Sequence, residues 1–123
     1  MRLLALIILF VCSASIQASC IDPRASVEAL KNDGMIFIGP LSIEQVESEH
    51  LSVIDFEGEK KKVIFGYINE QWLSIKEHLA NGPLLYSISS SEEQWKKPFS
   101  GAIKGYGAVK NGCLVGAIIT KIS

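Results

Sequence analysis

Side chains able to do chemistry are few in this chain of 123 residues. Three cysteines and two histidines stand out: Cys12, Cys20, Cys113, His50, His78. A thiol becomes a nucleophile when a base such as histidine activates it, and Cys113 with His78 offers that pair by residue type. Cys113, however, directly follows an Asn-Gly turn signal, where a cysteine of an exported protein is better explained as half of a disulfide. We therefore predict no catalytic residue.

The same residue types give no metal or cofactor site. Metal ligands in proteins are clustered side chains, whereas Cys20 and Cys113 lie near opposite ends of the chain and the histidines are isolated. The sequence also has no Gly-rich phosphate loop and no Gly-x-Ser-x-Gly elbow. We expect no metal, no cofactor and no enzymatic activity.

Residues 1–19 have the layout of a secretory signal peptide. Arg2 supplies a positive charge, residues 3–11 are an unbroken apolar run, and residues 12–19 are small or mildly polar. The run is shorter than the ~20 residues that span a bilayer; a buried N-terminal strand is the alternative. We predict that this segment, including Cys12, is removed and that the mature protein reaches the periplasm or the extracellular space.

Two modifications compete for Cys20. A disulfide with Cys113 would close nearly the whole domain into one loop and contribute on the order of 4–5 kcal/mol. Alternatively, residues 17–20 resemble a bacterial lipobox, in which small residues precede a lipid-modified cysteine, although Gln17 stands where an aliphatic residue is expected. The disulfide and the lipid exclude each other, because both use the sulfur of Cys20.

The charge balance argues against nucleic acid as a partner. The chain has 12 basic and 13 acidic residues. Without Arg2, 11 basic residues remain against 13 acidic ones, a net charge of −2. That balance attracts neither a phosphate backbone nor an anionic membrane surface. We expect membrane contact only if Cys20 carries lipid.

One main helix must position much of the domain. Residues 69–80 have helical apolar spacing, a capping residue in Asn69, and a glycine and a proline just beyond. The apolar positions, expected to face the core, are Trp72, Ile75 and Leu79, with Leu73 beside them. Residues 42–50 fit a helix and an extended segment about equally.

Two β-hairpins are predicted from their turn signals. Residues 51–57 and 60–68 flank Gly58-Glu59, which favours a type II′ turn with Glu57 opposite Lys60 and Asp55 opposite Lys62.

The second hairpin joins residues 104–110 to residues 113–120 through Asn111-Gly112, which favours type I′. Its register would set Gly107 opposite Gly116 and leave a stripe without side chains. We expect the 69–80 helix to pack there; a ligand groove is the alternative. The second strand is apolar on both faces, which predicts an interior place in the sheet.

A polar segment after the strand at residues 84–88 is the candidate partner-binding surface. Residues 89–93 form a loop, or a cap that opens one helical turn through Trp95. The acids and aromatic residues that could contact a partner are Glu92, Glu93, Trp95 and Phe99. Aromatic anchors are typical of protein interfaces, and a fully buried Trp95 would remove the main support for this prediction.

The tail from Trp95 to Thr120 resembles the C-terminal hairpin of small uncharacterised bacterial exported proteins. Those have a tryptophan, a spacer and a Gly-Tyr-Ala-Leu-Val-Arg-Asn-Gly hairpin; here Gly107 intrudes between Tyr106 and Ala108. The resemblance implies a bacterial envelope setting and brings no activity. In format, though not in residues, the chain is also similar to periplasmic immunity and inhibitor proteins.

Together these patterns predict a single α+β domain over residues 20–123. It would have an antiparallel sheet of four or five strands with the 69–80 helix on one face. We expect a non-enzymatic envelope protein that binds a periplasmic protein, as an inhibitor or immunity protein does. The alternatives are a structural outer-membrane lipoprotein anchored at Cys20 and, less favoured, a small hydrolase.

Overall fold

The computed structural model describes residues 20–123, and the predicted signal peptide at residues 1–19, with Cys12, lies outside the described residues. The predicted α+β class is confirmed: a small single domain holds a four-stranded antiparallel sheet, a two-stranded sheet and one main helix. None of the helices in residues 20–123 has the length and apolar character needed to cross a membrane.

Six strands and four short helices follow one another along residues 20–123. The strands are β1 (Ile36–Leu41), β2 (Leu51–Phe56), β3 (Glu59–Ile64), β4 (Leu84–Ser89), β5 (Ile103–Lys110) and β6 (Cys113–Ile122). The helices are α1 (Val27–Asn32), α2 (Ile43–Glu49), α3 (Asn69–Leu79) and α4 (Glu92–Lys96). Two 3₁₀ turns, Pro23–Ala25 and Gly66–Ile68, complete the order.

The main sheet has the order β1-β4-β5-β6, with every pair antiparallel, and α3 packs against β5 and β6. Trp72 and Ile75 of α3 are buried as predicted. Leu73 is exposed instead of lying beside them, because its direction on the helix points away from the sheet. Asn69 is the first helical residue and not the cap; its side-chain amide donates to the Ile64 carbonyl at 3.0 Å.

The ambiguous segment at residues 42–50 is helical. Ser42 caps α2, because its hydroxyl accepts a hydrogen bond from the Gln45 N–H at 3.1 Å. Val46 then reaches the core, where it is fully buried.

The C-terminal hairpin has the predicted Asn111-Gly112 turn, with φ of 52° and 76°. Its first two pairs, Lys110–Cys113 and Val109–Leu114, are as expected. An irregularity between Ala108 and Val109 then adds a residue on β6 and sets Gly116 opposite Ala108. The facing-glycine prediction is therefore wrong. The helix-packing prediction is right at Gly116, where a β-carbon would lie 3.0 Å from Cδ2 of His78 in α3.

The predicted interior place of the last strand is also wrong, since β6 is an edge of the sheet. Its apolar residues are covered on one face by α3, while Val115 and Ile122 remain exposed. One apolar face of β6 therefore packs against α3, and its other apolar face lies on the surface of the domain.

The other hairpin differs from its prediction in register. Its turn is Glu57-Gly58, with φ of 53° and 81°, so glycine stands second, as in a type I′ turn. Asp55 therefore faces Lys60 and not Lys62, and Glu57 faces no strand residue. The second strand ends at Ile64 instead of continuing to residue 68.

Candidate functional site

The 91–101 segment is a short helix and a turn that close on each other. Ser91 caps α4 by accepting from the Gln94 N–H at 3.3 Å. The Gln94 side chain donates to the Ser100 carbonyl at 3.2 Å, and the Ser100 hydroxyl donates to the Gln94 carbonyl at 2.6 Å. The segment is therefore held in one conformation by its own polar side chains.

Both ends of the segment are fixed to the sheet. The Ser90 hydroxyl accepts from the Ile103 N–H at 2.9 Å, and the Ser90 N–H donates to the Ile103 carbonyl at 2.9 Å. Next to Gly101, Ala102 is fully buried and its carbonyl accepts from the Ser123 N–H at 2.9 Å. These contacts make the segment a rigid projection of the domain.

Phe99 combines a strained backbone with full exposure. Its φ is 55°, in the left-handed region that a bulky side chain rarely adopts, and 96% of its surface is exposed. Phe65 has a similar φ of 60°, but it is 8% exposed and packs between the rings of Trp72 and Tyr106. Burial offsets the strain at Phe65, whereas no packing within residues 20–123 offsets it at Phe99. Such unoffset strain is a recognised mark of functional positions.

The other predicted partner-binding residues lie in the same segment as Phe99. Trp95 is partly buried, with the Lys121 ammonium 5.2 Å from its ring centroid, so one side of the ring is shielded and the rest is accessible. Glu92 and Glu93 are exposed in the first turn of α4. The structure thus brings all four residues into one fixed segment.

The charges of α4 have a local explanation as well. Two acids lie in its first turn, and Lys96 lies in its last turn. Each sign is placed where the helix dipole stabilises it. The acids alone therefore give little information on a partner, and the argument for binding depends on the aromatic residues.

The predicted disulfide between Cys20 and Cys113 is present, with its sulfur atoms 2.06 Å apart and its Cα atoms 5.6 Å apart. The Val27 N–H also donates to the Gly112 carbonyl at 2.9 Å, which docks the N-terminal turn on the same hairpin. Cys113 consequently has no thiol for His78 to activate, and Cys20 has no sulfur free for lipid in this structure.

An open groove of about 1110 Å³ lies beside the disulfide. Its apolar lining comes mainly from Ile21, Leu114 and Val115. Asp22 also lines it, but this carboxylate is bound to Arg24, with the guanidinium Nε 3.3 Å away. The Arg24 side chain and its N–H hold the pKa of Asp22 below its usual value. The carboxylate that lines the groove is thus paired with a guanidinium.

A second polar cluster was not foreseen from the sequence. Nε2 of His50 lies 2.6 Å from the Tyr106 hydroxyl, and its ring stacks on Phe65 at 4.5 Å. Burial lowers the pKa of His50 and raises that of Tyr106. This pair joins the start of β2 to β5 and lies against the core. Its only sequence signal was a histidine in the ambiguous 42–50 stretch.

Glu47 forms the neighbouring part of this cluster. Its carboxylate accepts from the Trp72 indole at 2.9 Å and from the Lys76 ammonium at 3.2 Å. The indole N–H, followed by Lys76, holds the pKa of Glu47 below its usual value. Glu47 thus satisfies the polar atom of an otherwise buried tryptophan.

Across residues 20–123, the structure gathers no set of three or more side chains suited to hold a metal ion. Comparisons of the chain with protein-family models, curated proteins and solved structures found no match.

Proposed function

We propose that this chain is a non-enzymatic exported protein of the bacterial envelope that binds another protein through the 91–101 segment, as inhibitor or immunity proteins do. The observation that carries the proposal is Phe99, which is 96% exposed on a strained backbone inside a segment closed by hydrogen bonds. Because the backbone that carries Phe99 is already fixed, binding costs less entropy than ordering a flexible loop would.

The energetics favour Phe99 as an anchor. Burying a phenylalanine side chain contributes about 1.5–3 kcal/mol, and aromatic residues, phenylalanine among them, are enriched at protein interfaces. Trp95 adds a partly accessible ring on the same segment. A partner with an apolar pocket would gain both contacts without reorganising the segment.

The disulfide supports the export part of the proposal. Disulfides persist in oxidising compartments, and they are common in small secreted domains. The bacterial envelope setting depends on the resemblance of the tail from Trp95 to Thr120, and the partner is therefore sought in periplasmic extract.

The experiment is affinity capture from that extract with immobilised mature protein and two variants. Phe99→Ala should lose the captured protein. Phe56→Ala is the matched control, because Phe56 is also an exposed aromatic residue but lies at the tip of the β2–β3 hairpin. Capture that survives Phe99→Ala, or that both variants lose equally, would contradict the proposal.

The lipoprotein alternative competes for Cys20 and is decided separately. Intact mass of the mature protein distinguishes a loss of two hydrogens, which means a disulfide, from a large gain at Cys20, which means lipid. We expect the disulfide, because the Cα atoms of Cys20 and Cys113 are 5.6 Å apart, within the usual range for this bond.

A further inference from the structure

Two lysines of the main sheet stand opposite each other where β5 begins and β6 ends. Lys104 and Lys121 are partners in the antiparallel register, and both are exposed. Like charges in directly opposed positions destabilise a sheet. Within residues 20–123 neither ammonium group forms an ion pair. No carboxylate of the described residues therefore offsets this repulsion.

This lysine pair adjoins the 91–101 segment. The Lys121 ammonium lies 5.2 Å from the centroid of the Trp95 ring. At the end of the chain, the Ser123 hydroxyl oxygen lies 3.2 Å from the hydroxyl oxygen of Ser100, the residue after Phe99. The end of β6 and the segment that holds Phe99 thus form one surface.

The net charge of this surface is opposite in sign to that of the domain. Four exposed lysines and two exposed acids belong to it: Lys96, Lys97, Lys104, Lys121, Glu92 and Glu93. Four lysines against two acids give a net charge of +2, whereas residues 20–123 have 11 basic residues against 13 acidic ones, a net charge of −2. We call this surface, which consists of residues 91–101, 103–104 and 121–123, the basic end.

The lysines of the β2–β3 hairpin are balanced by acids. Within residues 20–123 the two strands of this hairpin pair only with each other, and the Phe65 N–H closes its base by donating to the His50 carbonyl at 2.7 Å. The hairpin holds three lysines and three acids: Lys60, Lys61, Lys62, Asp55, Glu57 and Glu59. Asp55 is directly opposite Lys60. Unbalanced positive charge is thus a property of the basic end and not of both lysine clusters.

We propose that the protein partner of the 91–101 segment is acidic at the contact: carboxylates surround the apolar pocket that takes Phe99, and they pair with the lysines of the basic end. This inference rests on the proposed function, because it concerns the partner of the same surface. Carboxylates that face Lys104 and Lys121 offset the repulsion between these two lysines. Complementary charges around an aromatic anchor increase the association rate and disfavour wrong partners.

A protein fits this surface better than nucleic acid or an anionic membrane does. Those present a continuous anionic surface, which also meets the acids beside the lysines and the rest of the domain. Outside the basic end, residues 20–123 keep 7 of their 11 basic residues and 11 of their 13 acidic ones, a net charge of −4. A pocket rimmed by carboxylates that contacts only the basic end avoids this repulsion.

The probe for the test is the protein that the wild type captures from periplasmic extract and that Phe99→Ala does not capture. Its association rate is measured with the immobilised wild type and with charge-reversal variants. Lys97→Glu combined with Lys104→Glu should slow association about tenfold or more. Raising the salt concentration from about 0.05 M to about 0.5 M should slow association with the wild type in the same way.

The matched control is Lys31→Glu combined with Lys110→Glu. It changes the net charge of the chain equally, at two exposed lysines outside the basic end. Its association rate should stay within about twofold of the wild type, because rate enhancement depends on charges close to the contact.

The single variant Lys104→Glu separates lost binding from lost folding. It places a carboxylate opposite Lys121, and thus an opposite-charge pair where the wild type has a like-charge pair. This variant should unfold at a urea concentration no lower than that of the wild type, while it associates more slowly with the probe. Unfolding at a lower urea concentration would contradict the repulsion on which the proposal depends.

The outcomes distinguish this inference from the proposed function. A Phe99-dependent protein that associates equally fast with the Lys97→Glu, Lys104→Glu variant and with the matched control overturns the inference and leaves the proposed function standing. If no captured protein depends on Phe99, the proposed function is contradicted and the inference falls with it. Phosphatidylglycerol vesicles and a DNA duplex are the remaining probes: binding of the wild type to either, lost in the same double variant, would assign the lysines to an extended anionic surface and overturn the inference.

Discussion

At the scale of single residues, Phe65 and Phe99 share a backbone conformation and differ in what surrounds them. One lies in the core, and the other is 96% exposed. The left-handed region is far better tolerated by asparagine than by phenylalanine. At Phe65 the packing of the core offsets the cost of this backbone conformation. At Phe99 no packing within the described residues offsets it.

We predict that Phe99→Asn raises the free energy of unfolding by about 1 kcal/mol, because it relieves backbone strain and removes no buried contact. Urea denaturation measures the change. The matched variant Phe65→Asn should instead destabilise the protein by about 3 kcal/mol or more, since it empties part of the core. A destabilised Phe99→Asn protein would mean that the ring makes contacts that stabilise the fold.

Two glycines should respond very differently to alanine. At Gly116 the new methyl group would lie 3.0 Å from the exposed ring of His78, which can move aside. At Gly105 it would lie 2.9 Å from the Ile118 carbonyl carbon, in the backbone of the next strand. We expect Gly116→Ala to lower stability by less than about 1 kcal/mol and Gly105→Ala by about 3 kcal/mol or more.

Thermal and urea unfolding of both variants test this contrast. His78→Ala added to Gly116→Ala should remove most of its cost, because the methyl group then has no ring to displace. Equal losses at the two glycines would show that the His78 ring is held as firmly as a strand backbone.

At the scale of elements, His50 connects the β2–β3 hairpin to the main sheet. Burial is the main cause that lowers its pKa; Glu49 opposes this and Lys104 adds to it. In the unfolded chain histidine titrates near pH ~6.5. Below that pH the unfolded chain binds a proton that the folded protein does not, so stability falls as the pH drops from ~6.5 towards the folded pKa.

His50→Gln should flatten this dependence, because glutamine can still form a hydrogen bond with the Tyr106 hydroxyl and does not titrate. The measurement is the free energy of unfolding at about pH 7 and about pH 5 in both proteins. The wild type should lose more stability over this interval. An unchanged slope in His50→Gln would mean that other groups cause it.

Elements were more predictable than their registers. The α3 helix follows from apolar spacing, and its burial of Trp72 follows from the same pattern. The β2–β3 register could not be predicted from Glu57-Gly58-Glu59. Glycine fits the first position of a type II′ turn and the second position of a type I′ turn, and the two turns give different registers. Likewise, the extra residue in β6 changes the pairing beyond the Asn111-Gly112 turn, and the turn signal does not indicate it.

The candidate site was predictable in composition and not in geometry. The acidic and aromatic residues between positions 92 and 99 indicated the site. The three serines at residues 89–91 indicated that a serine could cap a helix there. The left-handed backbone of Phe99 could not be predicted, because it lies in a turn closed by contacts between Gln94 and Ser100 that no local turn signal indicates.

At the scale of the whole molecule, the Cys20–Cys113 bond ties the N-terminal turn to the last hairpin. Replacing both cysteines with serine should lower the free energy of unfolding by about 4–5 kcal/mol, because the bond restricts the unfolded chain over a loop of nearly the whole domain. Urea denaturation measures the loss. Reduced wild-type protein is the control and should match the double variant; unchanged stability in either would mean that the bond does not restrain the unfolded chain as supposed.

The 2.7 Å hydrogen bond between the His50 carbonyl and the Phe65 N–H has a practical consequence for engineering. The chain enters and leaves the β2–β3 hairpin at neighbouring points. The residues between these points can therefore be replaced or extended without moving the ends that join them to the domain. Exposed loop tips are the sites where foreign sequence is best tolerated. A peptide epitope grafted at Glu57-Gly58 would be displayed by the rigid domain while its main sheet and its disulfide stay as they are.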